Sequence, residues 1–296
     1  MTSRNHSVWR QIVRPLPTQE KPPLAATGKA GRNLPAAVAS ALVLIGAAGS
    51  TLFFARPAFL VLVGLLVWVA TWEVAGAFAR RDRTVAVVPL YLGGAGIFVA
   101  GALGSLTWVL VGMYLTAVAA IAWRMVQTSP KTRPVEDVLA SIFTLVYIPF
   151  FASFVALISF HSEDPWPIVF FVLAIVANDT GGWLAGITFG KHPMAPKLSP
   201  KKSWEGFAGS VLLCCAVGYV GTLVMGVDWW WALIVAAVGS VIGTMGDLVE
   251  SLIKRDSGLK DMSAIVPGHG GLMDRLDSLL FTAPAFFIVY SVAFGW

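Results

Sequence analysis

Long apolar runs alternate with short polar breaks along most of this chain, and their length sets the class of protein. About 20 consecutive apolar residues cross a bilayer as an α-helix. Runs near that length lie at roughly 35–54, 57–79, 86–103, 106–123, 136–160, 166–187, 205–226, 230–253 and 271–294. They predict an all-α, polytopic integral membrane protein with about nine transmembrane helices. Composition points the same way. Of 296 residues, 57% are hydrophobic and 12% charged, against about 25% charged in a soluble domain. The mean hydropathy is +0.76.

Residues 1–33 break the pattern. They are polar and basic, carry Pro15, Pro17, Pro22 and Pro23, and show no helical period. We read them as a disordered basic cytoplasmic tail; no short apolar core with a cleavage site marks them as a secretory signal. The organisation expected beyond the tail is five amino-terminal spans over 34–165 and four spans over 166–296. The second region carries cytoplasmic loops at 188–204 and 254–270. The only cysteines, Cys214 and Cys215, are adjacent in an apolar run, so a disulfide or metal clip between them is not expected.

The basic residues orient the spans. With the amino end inside, all but Arg56 of the 21 lysines and arginines fall in cytoplasmic segments, as the positive-inside rule requires. The carboxyl end then lies outside. Trp108, Trp166, Trp229, Trp230, Trp231 and Trp296 fall where an external aromatic belt belongs. No internal repeat or pair of broken helices appears, which counts against a transporter.

Acids within or bordering the spans collect toward one side. They are Glu73, Asp179, Glu205, Asp247, Glu250, Asp274 and Asp277, all in the cytoplasmic half of the predicted topology. An ion pathway would place polar groups through both halves of the bilayer; a polar cavity open to the cytoplasm explains the asymmetry better. Asp247, Glu250, Ser251 and Lys254 recur at helical spacing, and so do Asp274, Asp277 and Ser278. If these two spans pack antiparallel, Asp247, Asp274 and Asp277 converge. Three converging carboxylates call for a cation, and Mg²⁺ is the natural one beside phosphate oxygens. Taken singly, Asp274 and Asp277 are ordinary acids near a helix amino terminus, and Asp247 and Glu250 ordinary partners for Lys254 and Arg255.

Two polar strings carry the chemistry. One runs from Ser251 through Lys254, Arg255, Lys260, Asp261, Pro267, Gly268, His269, Gly270, Gly271, Asp274 and Arg275 to Asp277. The other reads Ser199-Pro200-Lys201-Lys202-Ser203-Trp204-Glu205-Gly206. Carboxylates hold a divalent metal, lysines and arginines hold phosphates, and glycines let backbone amides approach an anion.

In these strings, and in Asn178-Asp179-Thr180 followed by Gly190-Lys191, the sequence resembles the phosphatidate cytidylyltransferase (CDP-diacylglycerol synthase) family. The first string matches that family's Ser-x-x-Lys-Arg, Lys-Asp and His-Gly-Gly-x-x-Asp-Arg-x-Asp pattern in order and spacing. Ser203 stands where the family usually has Thr, which keeps the hydroxyl. The five amino-terminal spans match only in hydropathy and in bearing one acid, Glu73.

The resemblance implies CTP + phosphatidate → CDP-diacylglycerol + diphosphate, a step of phospholipid biosynthesis at the cytoplasmic face of a cell membrane. It implies Mg²⁺, leaves room for a second cation, and suits a homodimer; the partners expected are CTP, phosphatidate and membrane lipids, with no nucleic acid. Asp247, Asp274 and Asp277 are the expected metal ligands, with Asp179 next in line. Lys254 and Arg275 are expected to act on the reacting phosphates, together with Lys201, Lys202, Arg255 and Lys260. Ser203, Ser251, Gly270 and Gly271 are expected to line the substrates; Ser251 is either a hydroxyl near the metal or helix filler, and Gly268, Gly270 and Gly271 either present amides to phosphate or form a plain turn. His269 admits either a phosphate hydrogen bond or a turn contact. Glu205 either orients Lys201 or Lys202 or caps its helix. Other readings of the same strings are a CTP-dependent polyprenol or phytol kinase, and a lipid or ion transporter.

Overall fold

The computed structural model describes residues 34–127, 133–267 and 270–296. The tail over 1–33, Lys131, Gly268 and His269 lie outside the described residues. Ten α-helices are present among them: α1 Leu34–Phe54, α2 Arg56–Ala79, α3 Val87–Ala102, α4 Leu106–Val126, α5 Pro134–Leu145, α6 Phe151–His161, α7 Trp166–Phe189, α8 Trp204–Met225, α9 Trp231–Ser257 and α10 Met273–Phe294. A short hairpin, β1 Pro193–Ala195 and β2 Ser199–Ser203, precedes α8.

Seven helical stretches among the described residues are long and apolar enough to cross a membrane, counting Pro134–His161 as one. Val38–Phe54 and Val87–Ala102 are shorter apolar helices. The 16 residues of α3 rise only about 24 Å at 1.5 Å each, short of a hydrocarbon core of about 30 Å. Exposed Leu42, Val43 and Ile45 on α1, and Leu110, Tyr114 and Leu115 on α4, suit contact with lipid tails rather than water. The chain is a multi-pass helical membrane protein.

Pro134–His161 is not one regular helix. Val146–Phe150 forms a π-helical turn containing Pro149. Proline has no amide hydrogen and its ring crowds the carbonyl four residues back; one wide turn relieves that clash. An apolar run of the right length does not reveal this.

The chain divides into two compact units, each built from separate stretches of sequence. The first holds the chain up to Ala100, Ser105–Phe150 and Asp256–Asp274; the second holds Gly101–Gly104, Phe151–Arg255 and Arg275–Trp296.

In the first unit a buried ion pair joins α4 to α5. Arg124 Nη2 lies 2.5 Å from Asp137 Oδ2, with side chains 4% and 1% exposed. Asp137 Oδ1 also accepts the Thr84 amide at 2.6 Å, and Ala86 N donates to Ser141 Oγ. Arg124, expected only as an inside-facing charge, is thus internal structure.

In the second unit α7 and α8 approach closely through small residues. A Cβ on Gly181 would stand 2.5 Å from the Gly209 carbonyl oxygen, one on Gly209 2.4 Å from Ala185, and one on Gly182 2.8 Å from Ser210 Oγ. Small residues let backbones meet where no hydrophobic effect drives helices together. Ser210 Oγ donates to the Asn178 carbonyl at 2.6 Å and Cys214 Sγ to that of Ala174 at 3.2 Å, so Cys214 serves packing. Gly181→Val should therefore destabilise the protein by about 1–3 kcal/mol, read as a lowered detergent melting temperature. An unchanged melting temperature would refute the tight contact.

The same device joins α9 to α10. A Cβ on Gly246 would meet Phe281, Ser278 and the Asp277 carbonyl at 2.8–3.0 Å. Ser278 Oγ donates to the Gly243 carbonyl at 3.0 Å. This contact sets the acids of the two helices side by side.

Candidate functional site

Asp247 and Glu250 are one turn apart on α9, and Asp277 sits in the second turn of α10. Each offers an oxygen within 4.8 Å of the other two. Glu250 is 1% exposed and Asp277 9%, whereas the Asp247 side chain is 33% exposed, so two of the three acids are buried and the third opens the group to the surface. Carboxylates this close repel one another in a low-dielectric setting.

Two lysines offset part of that charge. Lys202 Nζ, on β2, lies 2.5 Å from Asp247 Oδ2. Lys254 Nζ, one turn after Glu250 on α9, donates to Glu250 Oε2. Asp179 on α7 is close enough to feel Asp247 as a like charge and Lys202 and Arg275 as opposite ones. Its Oδ1 accepts Asn178 Nδ2 at 3.1 Å, and Thr244 holds the Asn178 Oδ1 at 3.3 Å.

A cavity of about 170 Å³ opens beside this cluster. Asp179, Lys202 and Asp247 form its charged side, while Trp183, Met194 and Phe207 form an apolar one. Ligand pockets usually span about 300–1,000 Å³, so it can admit a phosphate group but not two whole large substrates.

The hairpin presents Lys202. Residues 188–204, expected as a cytoplasmic loop, hold this hairpin. Pairing of Pro193 with Ser203 and of Ala195 with Ser199 instead gives the lysines a defined frame. Glu205 closes it, accepting the Lys191 and His192 amides at 3.1 and 3.2 Å and facing His192 Nδ1 at 2.5 Å. Glu205 thus meets neither Lys201 nor Lys202 in these contacts. Ser203 is the amino-terminal cap of α8, its Oγ accepting the Gly206 amide at 3.1 Å, and it also lines the cavity. Lys201 is exposed. Arg255 is exposed too, with Nε donating to the Leu198 carbonyl at 3.4 Å. Arg275 is exposed and Ser251 half-buried.

Asp274 belongs to a separate arrangement in the first unit. Its Oδ2 accepts the Met262 amide at 3.0 Å and the Gly271 amide at 2.7 Å. Gly270 N donates to the Val266 carbonyl at 3.1 Å, and Val266 N to that of Gly270 at 2.9 Å. Of the three glycines expected to face phosphate, Gly270 and Gly271 therefore have their amides taken within the chain, and Gly268 lies outside the described residues. Gly270 has φ +88°, the region that favours glycine. A Cβ on Gly271 would stand 2.8 Å from Asp274 Oδ2. Lys260 is exposed on the same segment; His269, within this turn, lies outside the described residues.

Glu250 is the acid that sequence reasoning left out of the metal set. Its signal was present in the one-turn spacing from Asp247, but pairing with Lys254 explained it equally well. Asp137, the internal partner of Arg124, carries no sequence signal beyond an acid at the start of an apolar run.

The fold and this cluster define a helical membrane protein that keeps a carboxylate trio, two lysines and a small half-polar cavity among its spans. The chain belongs to the Cytidylyltransferase family, whose pattern matches residues 35–293. It is 38% identical over 276 residues to the phosphatidate cytidylyltransferase of Mycobacterium leprae, covering 86% of each chain. It is 35% identical over 309 aligned positions to that of Mycobacterium bovis, covering 99% of each. The protein of the same name from Haemophilus influenzae is 32% identical, across 86% of this chain and 97% of its own.

Proposed function

We propose that this chain converts CTP and phosphatidate into CDP-diacylglycerol and diphosphate at the cytoplasmic face of a cell membrane. The observation that carries this reading is the carboxylate trio flanked by Lys202 and Lys254 inside a chain of this family. Such a set handles polyanions that must meet where water is scarce.

The lipid phosphate monoester has a second pKa near ~6 and is mostly dianionic at neutral pH. It needs no strong base to attack. One of its oxygens forms a bond to the α-phosphorus of CTP, the bond from that phosphorus to the bridging oxygen breaks, and the electron pair leaves with diphosphate. Positioning and charge neutralisation supply most of the acceleration.

The acids suit Mg²⁺. Each of the three acids offers an oxygen within 4.8 Å of the other two, and carboxylate oxygens are the ligands such a hard cation takes. Asp247, Glu250 and Asp277 would hold it, with Asp179 beside them; Asp274 remains a further candidate. When bound, the ion neutralises charge on the phosphates. Lys202 and Lys254, which pair with Asp247 and Glu250, are the cations placed to meet phosphate oxygens beside the acids. Trp183, Met194 and Phe207 give the glycerol end of the lipid an apolar wall. The topology we favour counts α1 and α3 as spans, which gives nine, with the amino end inside.

Diphosphate release by purified protein in detergent tests the reading. Release should require CTP, phosphatidate and Mg²⁺ together, with CDP-diacylglycerol as product. CDP release with an alcohol acceptor, or no turnover by folded protein, would overturn it.

A further inference from the structure

The amino-terminal spans carry no part of the polar strings, yet one of their carboxyl side chains is fully buried. Glu73, in the inner half of α2, is 0% exposed. Its Oε1 accepts the Leu272 amide at 2.9 Å and the Ser263 hydroxyl. Its Oε2 accepts the Met273 amide at 2.6 Å. The three donors sit about 200 residues away in sequence, in the turn that leads into α10.

These bonds act on one object. Leu272 and Met273 adjoin the amino terminus of α10, whose first amides lack intrahelical partners. Glu73 supplies the acceptor that a local cap would otherwise provide, and Ser263 ties in the opposite side of the turn. Between those ties, the Met262 and Gly271 amides grip Asp274 Oδ2. Glu73 therefore fixes the two strands of backbone that fix Asp274.

The other end of the segment is anchored from the turn that follows the same helix. Arg83, in the turn after α2, donates from Nη1 to Asp256 Oδ2 at 2.8 Å, and Arg81 Nε donates to the Asp256 carbonyl. Glu136 Oε2 braces Arg83 at 3.3 Å. Ser40 Oγ of α1 donates to the Pro267 carbonyl at 3.0 Å. Each tie comes from the amino-terminal spans.

We propose that Glu73 is a positioning residue for the reaction, holding the Asp256–Asp274 segment from inside the membrane, with Arg83 as its second anchor. The amino-terminal spans are then a scaffold for the signature turn rather than a membrane anchor alone. This rests on the cytidylyltransferase reading. Outer-shell partners of functional carboxylates usually change metal affinity or activity by roughly 10–100-fold when removed.

The test uses the full chain in detergent, with wild-type turnover measured first. Glu73→Gln keeps the volume but presents an amide NH₂ where two acceptor oxygens stood. We expect kcat to fall, and the half-saturating Mg²⁺ concentration to rise, each within that 10–100-fold range, at temperatures well below the variant's melting point. Arg83→Gln and Ser263→Ala should shift both in the same direction by smaller factors, and they keep the proposal testable should Glu73→Gln fail to fold. Activity lost only in proportion to folded protein, with the wild-type Mg²⁺ requirement in all soluble variants, would overturn the positioning role. An inactive wild type would instead overturn the reaction assigned above.

Discussion

Asp277→Asn should abolish turnover while leaving the protein folded, and no less stable than the wild type. The two side chains are nearly the same size, so the packing of α10 against Gly246 is preserved. What disappears is one negative charge from a trio whose oxygens lie within 4.8 Å. Removing it relieves repulsion in the metal-free protein, so the melting temperature should hold or rise. Turnover should fall by at least about 10²–10³-fold, the usual effect of deleting one preorganised electrostatic group. Residual activity should not be recovered at high CTP. Stability traded against activity in this direction is characteristic of a functional site rather than a structural one. Turnover within a few-fold of wild type, measured as CDP-diacylglycerol formed, would remove Asp277 from the site.

The second large effect is structural and lies in the first unit. Asp137→Ala leaves the Arg124 guanidinium buried at 4% exposure without its carboxylate, and the Thr84 amide without its acceptor. Breaking one side of a buried pair costs about 3–5 kcal/mol, because the surviving charge has lost both water and partner. A large drop in melting temperature in detergent is expected. Replacing both residues with apolar ones of similar volume, Arg124→Met with Asp137→Leu, should recover much of the loss, since the cost lies in the orphaned charge. A change below about 1 kcal/mol for Asp137→Ala would show that water or lipid headgroups solvate Arg124 at this depth.

The two variants separate two uses of buried charge in one protein. Arg124 and Asp137 balance each other and bind helices together. Asp247, Glu250 and Asp277 outnumber Lys202 and Lys254, so carboxyl oxygens remain that a cation could meet.

Much of this was legible beforehand. The apolar runs found the helices because a bilayer leaves the backbone no other way to satisfy its hydrogen bonds. Asp247 and Asp277 stood out because charge in a span is rarely idle. Less legible were features decided by contact between distant segments. Glu73 looked like a lone acid until the turn ahead of α10 was seen to close on it. Gly270 and Gly271 looked like phosphate-facing glycines, but the turn needs them for φ +88° and for room beside Asp274. The proline in Val146–Phe150 hinted at a break without saying that a π turn would absorb it.

The sequence alone determined the membrane class, the helical architecture, the family resemblance and the polar strings, because these depend on residue type and local spacing. Only the tertiary structure decided which acids share a site, which pair off internally, and which amide or lysine each one meets. Those outcomes depend on helix–helix distances, and a few glycines at close contacts set those distances without announcing their partners in the sequence.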